Sequence, residues 1–240
     1  MKVLSIGNSF SQDSHIYLNK LAKNEGVIIE TQNLYIGGCS LQTHYANIES
    51  DAKAYVLEIN GKTAGQLISI KEALLSEKWD VVTIQQASRD STKFETYTPY
   101  IEELVKYVKA YSSSAKIFIH QTWAYEEGSE KLLVSAGYKL AKDMFSDIRK
   151  AYEKAVKLIK ADGIIPSGQA MLNAFTMGGI KMHRDTLHAS LGAGRYLLAL
   201  TWYKALTNND IDDNNFNELA EPITDKERSI LIKAVNKAFE

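Results

Sequence analysis

Two short stretches at opposite ends of the chain hold residue types that could work together on an ester or a related acyl group. Near the start, Val3, Leu4 and Ile6 form an apolar, β-favouring run that Gly7 breaks, and Asn8-Ser9-Phe10 follow. From Asp13 to Leu21 the pattern reads as a helix. A serine on such a strand-to-helix turn stands at the carboxyl end of a sheet, where α/β folds keep their crevice. It is also surrounded by N–H groups of a helix N-terminus, which favour negative charge. Gly-Asn-Ser equally suits a plain turn. Near the other end, Arg184-Asp185-Thr186-Leu187-His188 places an aspartate three residues before a histidine. Such an aspartate can accept from the imidazole Nδ1–H and leave Nε2 free as a base. A serine from elsewhere in the fold would then be the nucleophile.

Those groups must be positioned by a scaffold, and the 240 residues fit one domain, residues 1–240, with a substantial core. Strands and helices alternate along it. Strands are expected at Val3–Ile6, Val27–Ile36, Trp79–Gln86, Ala115–His120 and Gly163–Pro166. Helices are expected at 13–24, 41–49, 70–77, 99–111, 137–160, 167–175, 189–206 and 225–239. Leu140, Met144, Ile148, Tyr152, Val156 and Ile159 form a core stripe on the longest of them. The alternation implies a parallel sheet of about five strands covered on both faces: a three-layer α/β/α sandwich, flavodoxin-like. Ala54–Ile59, Asn60-Gly61 and Lys62–Ile70 read as a hairpin on the rim, outside the main sheet.

Four strand ends then converge on one edge: Ser9, Gly37-Gly38, Gln85-Gln86 and His120-Gln121. Among alternative bases, His183 lacks a carboxylate at the matching spacing. His120 reads as a pocket-lining or strand-end residue, and His15 and His44 as helix-surface residues. Trp123 and Tyr125 suit either a wall for a sugar ring or core packing. Cys39, the single cysteine, reads as a small buried hydrophobe and excludes an internal disulfide. No His/Cys/Asp cluster has metal-ligand spacing, so no metal or other cofactor is expected.

Gly7-Asn8-Ser9-Phe10 resembles the first block of the SGNH hydrolases, also called GDSL esterases, and Asp185-x-x-His188 resembles their last. Gly37 or Gly38 is similar to their second block. Tyr-Ile-Gly-Gly-Cys-Ser, Ile-Gln-Gln-Ala-Ser and His-Gln-Thr-Trp-Ala-Tyr further resemble an uncharacterised bacterial SGNH-like subfamily. The resemblance implies Ser9 as nucleophile, His188 as general base and then acid, and Asp185 as its orienter. The Ser9 and Gly38 N–H groups would be oxyanion donors. The family's third block, Gly-x-Asn-Asp, is replaced here by Gln85-Gln86-Ala87-Ser88-Arg89. Strand alternation lets only one glutamine face the site, Gln86 being the expected donor and Gln85 the alternative. Gln85, His120, Gln121 and Trp123 are the expected substrate-binding residues.

The implied activity is hydrolysis of a small acyl ester, an O-acetylated carbohydrate foremost. Lysophospholipase or thioesterase chemistry, a non-catalytic carbohydrate-binding module and a flavodoxin-type nucleotide binder are the alternatives. The last lacks a Gly-x-Gly-x-x-Gly or P-loop run. With 28 basic and 29 acidic residues, neither nucleic acid nor an anionic membrane is an expected partner. No basic segment followed by a long apolar stretch precedes the first strand. The expected location is therefore cytoplasmic, or periplasmic or secreted if a leader has been removed.

Overall fold

A computed structural model describes residues 1–240. Its seven-stranded sheet has the order β4-β3-β2-β1-β5-β6-β7. The strands are β1 (Lys2–Gly7), β2 (Glu30–Tyr35), β3 (Tyr55–Ile59), β4 (Lys62–Ile68), β5 (Val81–Ile84), β6 (Lys116–His120) and β7 (Gly163–Ile165). β1, β2, β5, β6 and β7 are the five parallel strands expected. The hairpin lies at the periphery but is not separate from the sheet: β3 pairs antiparallel with β2 and carries β4 as the outermost strand. Leu57 is buried against the same core as Leu34 on β2, which gives the hairpin a face to bury.

β1 occupies the centre, hydrogen-bonded to β2 on one side and β5 on the other. A strand covered on both faces needs apolar residues at consecutive positions. Val3 joins the core beneath α1 (Ser9–Asn24), α6 (Ser167–Gly178), α7 (Ala193–Thr207) and α8 (Asp225–Lys237). Leu4 and Ile6 join the opposite core, beneath α2 (Leu41–Glu49), α3 (Ile70–Ser76), α4 (Tyr100–Tyr111) and α5 (Ala141–Ile159). This is the three-layer sandwich. α7 is buried without interruption from Tyr196 to Tyr203, because α1, α6 and α8 surround it. No helix is long and apolar enough to cross a membrane.

Three local expectations are corrected. The second strand begins at Glu30, and Ile28 is exposed before it. α5 begins at Ala141, after a separate π-helical turn at Lys131–Ser135. His15 and His44 are not on the surface. His15 packs edge-on against Trp202, 3.1 Å from Ser5 Oγ, and His44 stacks on Tyr55 with Nδ1 2.9 Å from its hydroxyl. Burial pushes both imidazoles down to about 3. His120 is pushed down to about 3 as well, by burial first and then by the nearby His15.

Two predictions follow from this packing. An exposed helical glycine replaced by alanine usually gains about 1 kcal/mol. At Gly168, however, a Cβ would stand 2.0 Å from the Thr122 carbonyl oxygen. Gly168→Ala is therefore expected to lose about 1–3 kcal/mol in denaturant unfolding. The second concerns acid. The unfolded chain protonates His15, His44 and His120 near the ordinary imidazole value of about 6.5, whereas the folded chain resists until about 3. Stability is thus intact above the unfolded value and falls as pH drops from about 6.5 toward 3, by up to about 1.4 kcal/mol per pH unit per imidazole. Urea midpoints across that range check it, and a flat profile would contradict the burial of these rings.

Candidate active site

The first turn of α1 supplies a hydroxyl at the sheet edge. β1 ends at Gly7, and Asn8 caps the helix in extended conformation, its Oδ1 accepting from Phe10 N–H at 3.0 Å. Asn8 Nδ2 also donates to the Cys39 carbonyl, at 3.2 Å, and so ties the β2–α2 loop to the same corner. Ser9 is the first helical residue, so its N–H has no intrahelical acceptor. Gly38 has φ +61, a conformation in which a Cβ is disfavoured, and its N–H also makes no bond within the protein.

The histidine arrives on the loop between α6 and α7. Asp185 Oδ1 accepts from Leu187 N–H at 3.2 Å and His188 N–H at 2.7 Å, folding the loop over its own carboxylate. Asp185 Oδ2 lies 2.8 Å from His188 Nδ1, and His188 Nε2 lies 2.9 Å from Ser9 Oγ. Residues 179 positions apart thus meet through one hydrogen bond. Because the carboxylate only accepts, Nδ1 carries the hydrogen and Nε2 is left to accept from the serine hydroxyl. Partial burial pushes the Asp185 carboxyl up, but the hydrogen bonds and charge of His188, with the Leu187 N–H, outweigh it and hold the group down at about 2.

The loop is tethered from three sides. Glu126 N–H donates to Thr186 O at 2.9 Å, which holds Thr186 at φ +67, a costly conformation for a β-branched residue. Trp123 Nε1 donates to Leu187 O at 2.8 Å, and the Trp123 ring stacks on Phe10 with centroids 3.8 Å apart. Below, Asp13 on α1 is fully buried. It receives Arg184 on both oxygens at 2.9 Å, Arg195 at 2.8 Å and Ala189 N–H at 3.1 Å. The helix that carries Ser9 is thereby locked to the loop that carries His188. Asp13 was missed in the sequence, where its signal was a charged residue on the buried face of α1.

Ser9 opens into a cavity of about 270 Å³, lined also by Asn8, Phe10, Tyr35, Gly37, Gly38, Ser88, Leu187 and His188. The strand-end residues expected to bind substrate are not on this lining. Gln85 lies beneath it: Nε2 donates to Asn8 Oδ1 at 2.6 Å, and Oε1 takes Ser11 Oγ at 2.5 Å and His120 Nδ1 at 2.7 Å. His120 Nε2 is engaged by Ser167 Oγ, and Gln121 Oε1 accepts from Gln169 N–H. Gln86 points into the opposite layer. Its amide hydrogens go to the carbonyl and hydroxyl of Thr96, and its oxygen accepts from Leu41 and Ala87 N–H. Both amide hydrogens of Gln86 are taken, and Gln85 Nε2, bonded to Asn8, lies beneath the cavity and off its lining. Trp123 positions the loop and lies outside the lining. His183 Nε2 is committed to the Ala124 carbonyl at 3.0 Å. The Cys39 thiol is pushed up to about 12 by burial, against a smaller opposing effect of Arg89.

The fold is similar to that of solved SGNH hydrolases and esterases. A candidate SGNH hydrolase from Slackia heliotrinireducens superposes with a TM-score of 0.60 at 24% identity, over 86% of this chain and 98% of its own. An acetylxylan esterase from Geobacillus stearothermophilus does so with 0.56 at 16% identity, over 85% and 92%. Within that fold the chain belongs to DUF4886, a family whose description is a domain of unknown function and whose model matches residues 2–238. A DUF4886 family protein from Bacteroides uniformis is 36% identical over 100% of this chain and 94% of its own, with a TM-score of 0.93. No curated protein matches the chain.

The clamp on Asp13 yields a prediction. Asp13→Asn removes the carboxylate shared by the two arginines, leaving Arg195 without an ion-pair partner and Arg184 with only Asp185, at 4.0 Å. Removing one partner of a buried ion pair costs about 3–5 kcal/mol. For a chain of this size that corresponds to a melting temperature lower by about 6–20 °C. Calorimetry showing no change would mean that the clamp is dispensable.

Proposed function

We propose that this protein is a serine hydrolase that cleaves small acyl esters through an acyl-enzyme, with an O-acetylated carbohydrate as its substrate class. The observation that carries the reading is the unbroken line from Ser9 Oγ through His188 to the Asp185 carboxylate. The carbohydrate part is supported only by analogy, the acetylxylan esterase being similar in fold.

In this reading Ser9 Oγ attacks the ester carbonyl while its proton passes to His188 Nε2. The carbonyl oxygen becomes an oxyanion next to the Ser9 and Gly38 N–H groups, both free to donate. The intermediate collapses, the imidazolium returns the proton to the departing alcohol, and the acyl group stays on Ser9. Water then repeats the sequence against the acyl-enzyme, with His188 again as base. Asp185 holds the ring in the required tautomer and stabilises its charged form. With Gln85 off the lining and Gln86 committed elsewhere, neither glutamine supplies a third donor. One such donor is commonly worth about 10²–10³ in rate, so a modest kcat is expected.

The test is hydrolysis of p-nitrophenyl acetate by wild type, Ser9→Ala, His188→Ala and Asp185→Asn. The first two variants are expected to lose at least about 10³-fold in kcat/KM, and Asp185→Asn about 10²–10⁴-fold. Equal rates in all four proteins would favour a non-catalytic binding module. Asp185 stays ionised until about pH 2, so its protonation should not shape the pH–rate profile above that.

A further inference from the structure

Beside the Ser9 cavity lies a second one of about 220 Å³, walled by ten residues. Three are cations, Arg89, Lys93 and Lys131, and five carry hydroxyls; none is a carboxylate. In a chain whose basic and acidic residues nearly balance, at 28 and 29, such a lining departs from the average surface. Ser88 belongs to both linings, so the two cavities meet at its side chain. The Tyr125 hydroxyl, on the second lining, donates to Ser88 Oγ at 3.4 Å. Arg89 Nη1 donates to the Gly38 carbonyl at 2.9 Å, which ties the guanidinium to a glycine of the first cavity.

The charges in this cleft are only partly answered. Arg89 Nε stands 3.4 Å from Asp90, its one carboxylate partner. Lys131 lies over the Tyr125 ring at 5.4 Å, and neither Lys93 nor Lys131 forms an ion pair. Asp147, the carboxylate nearest the Tyr138 hydroxyl, is already engaged by Tyr138 and Lys150. A concave wall of one sign concentrates counter-ions, and guanidinium, ammonium and hydroxyl donors together suit an oxyanion.

We propose that this cavity is an anion subsite continuous with the Ser9 cavity, and that the alcohol part of the substrate bears a carboxylate or a phosphate. The inference rests on the hydrolase reading for the word substrate. In that reading the small acyl group sits on Ser9 in the first cavity, so the anion is assigned to the alcohol. A uronate-type sugar or a sugar phosphate carrying an acyl ester has the required chemistry.

The experiment compares the full chain on three O-acetylated monosaccharides: a neutral sugar, its uronate and its phosphate. Two or three screened charge pairs are together worth about tenfold in kcat/KM. At least one anionic arm is therefore expected to exceed the neutral arm by about tenfold at low salt. That ratio should shrink toward one in about 1 M salt, where the screening length falls to about 3 Å. The double variant Lys93→Gln, Lys131→Gln should lower the ratio in the same direction. A greater gain on the phosphate or on the uronate identifies the anion. Equal kcat/KM on all three at low salt, or a ratio untouched by the double variant, overturns the inference.

Hydrolysis of p-nitrophenyl acetate by the same wild-type preparation keeps the two readings apart. If it is hydrolysed and no anionic preference appears, only the subsite fails. If nothing is hydrolysed, the subsite is read by titrating glucuronate and inorganic phosphate against the Ser88 and Tyr125 amide NMR signals. Shifts that vanish in the double variant support it, and unmoved signals overturn it.

Discussion

The architecture of the site depends on one buried carboxylate. Asp13 sits one helical turn beyond Ser9 and is held by arginines from the α6–α7 loop and from α7. A carboxylate without water is tolerable only when its oxygens are fully occupied, and here two guanidinium groups and a backbone N–H occupy them. The requirement works in both directions. The charge needs the loop, and the loop gains a fixed height above α1. His188 is then within hydrogen-bonding reach of Ser9, its ring edge-on to Phe10.

Around that clamp the polar residues of the sheet edge form a foundation. Gln85 joins Asn8, Ser11 and His120 in one buried network, and His120 passes it on to Ser167 at the start of α6. Each member is satisfied by another, which fixes the Asn8 cap and with it the direction of Ser9. On the other face Gln86 does the same for α2 through Leu41 and for the β5–α4 loop through Thr96. The two adjacent glutamines thus serve opposite layers, as strand alternation dictates.

Much of this was legible in the sequence, for physical reasons that differ by element. Four of the five parallel strands, β1, β5, β6 and β7, declared themselves as short, largely apolar runs between helical patterns, as strands covered on both faces tend to be. β2, Glu-Thr-Gln-Asn-Leu-Tyr, did not, and the apolar Val27–Ile29 just before it drew the expected boundary too early. The local motif Asp185-x-x-His188 was legible because three residues suffice for a carboxylate to fold back on the following N–H groups. The roles of Gln85, His120 and Trp123 were not. Position at a strand end places a side chain near a crevice, but whether it faces ligand or foundation depends on partners distant in the chain, such as Ser11, Ser167 and Leu187. The burial of His15 and His44 was hidden for the same reason, because their partners Ser5 and Tyr55 come from other elements. The hairpin was read correctly as a hairpin, yet its pairing with β2 is a long-range choice that no turn motif encodes.

The separation of the hydroxyl from its imidazole also has a consequence for synthesis. Ser9 leaves the ribosome first, but its partner follows 179 residues later, and Arg195, which helps hold the loop, later still. A nascent chain therefore carries an unactivated serine until the α6–α7 loop and α7 have been made. Whatever reactivity the pair possesses switches on only after that.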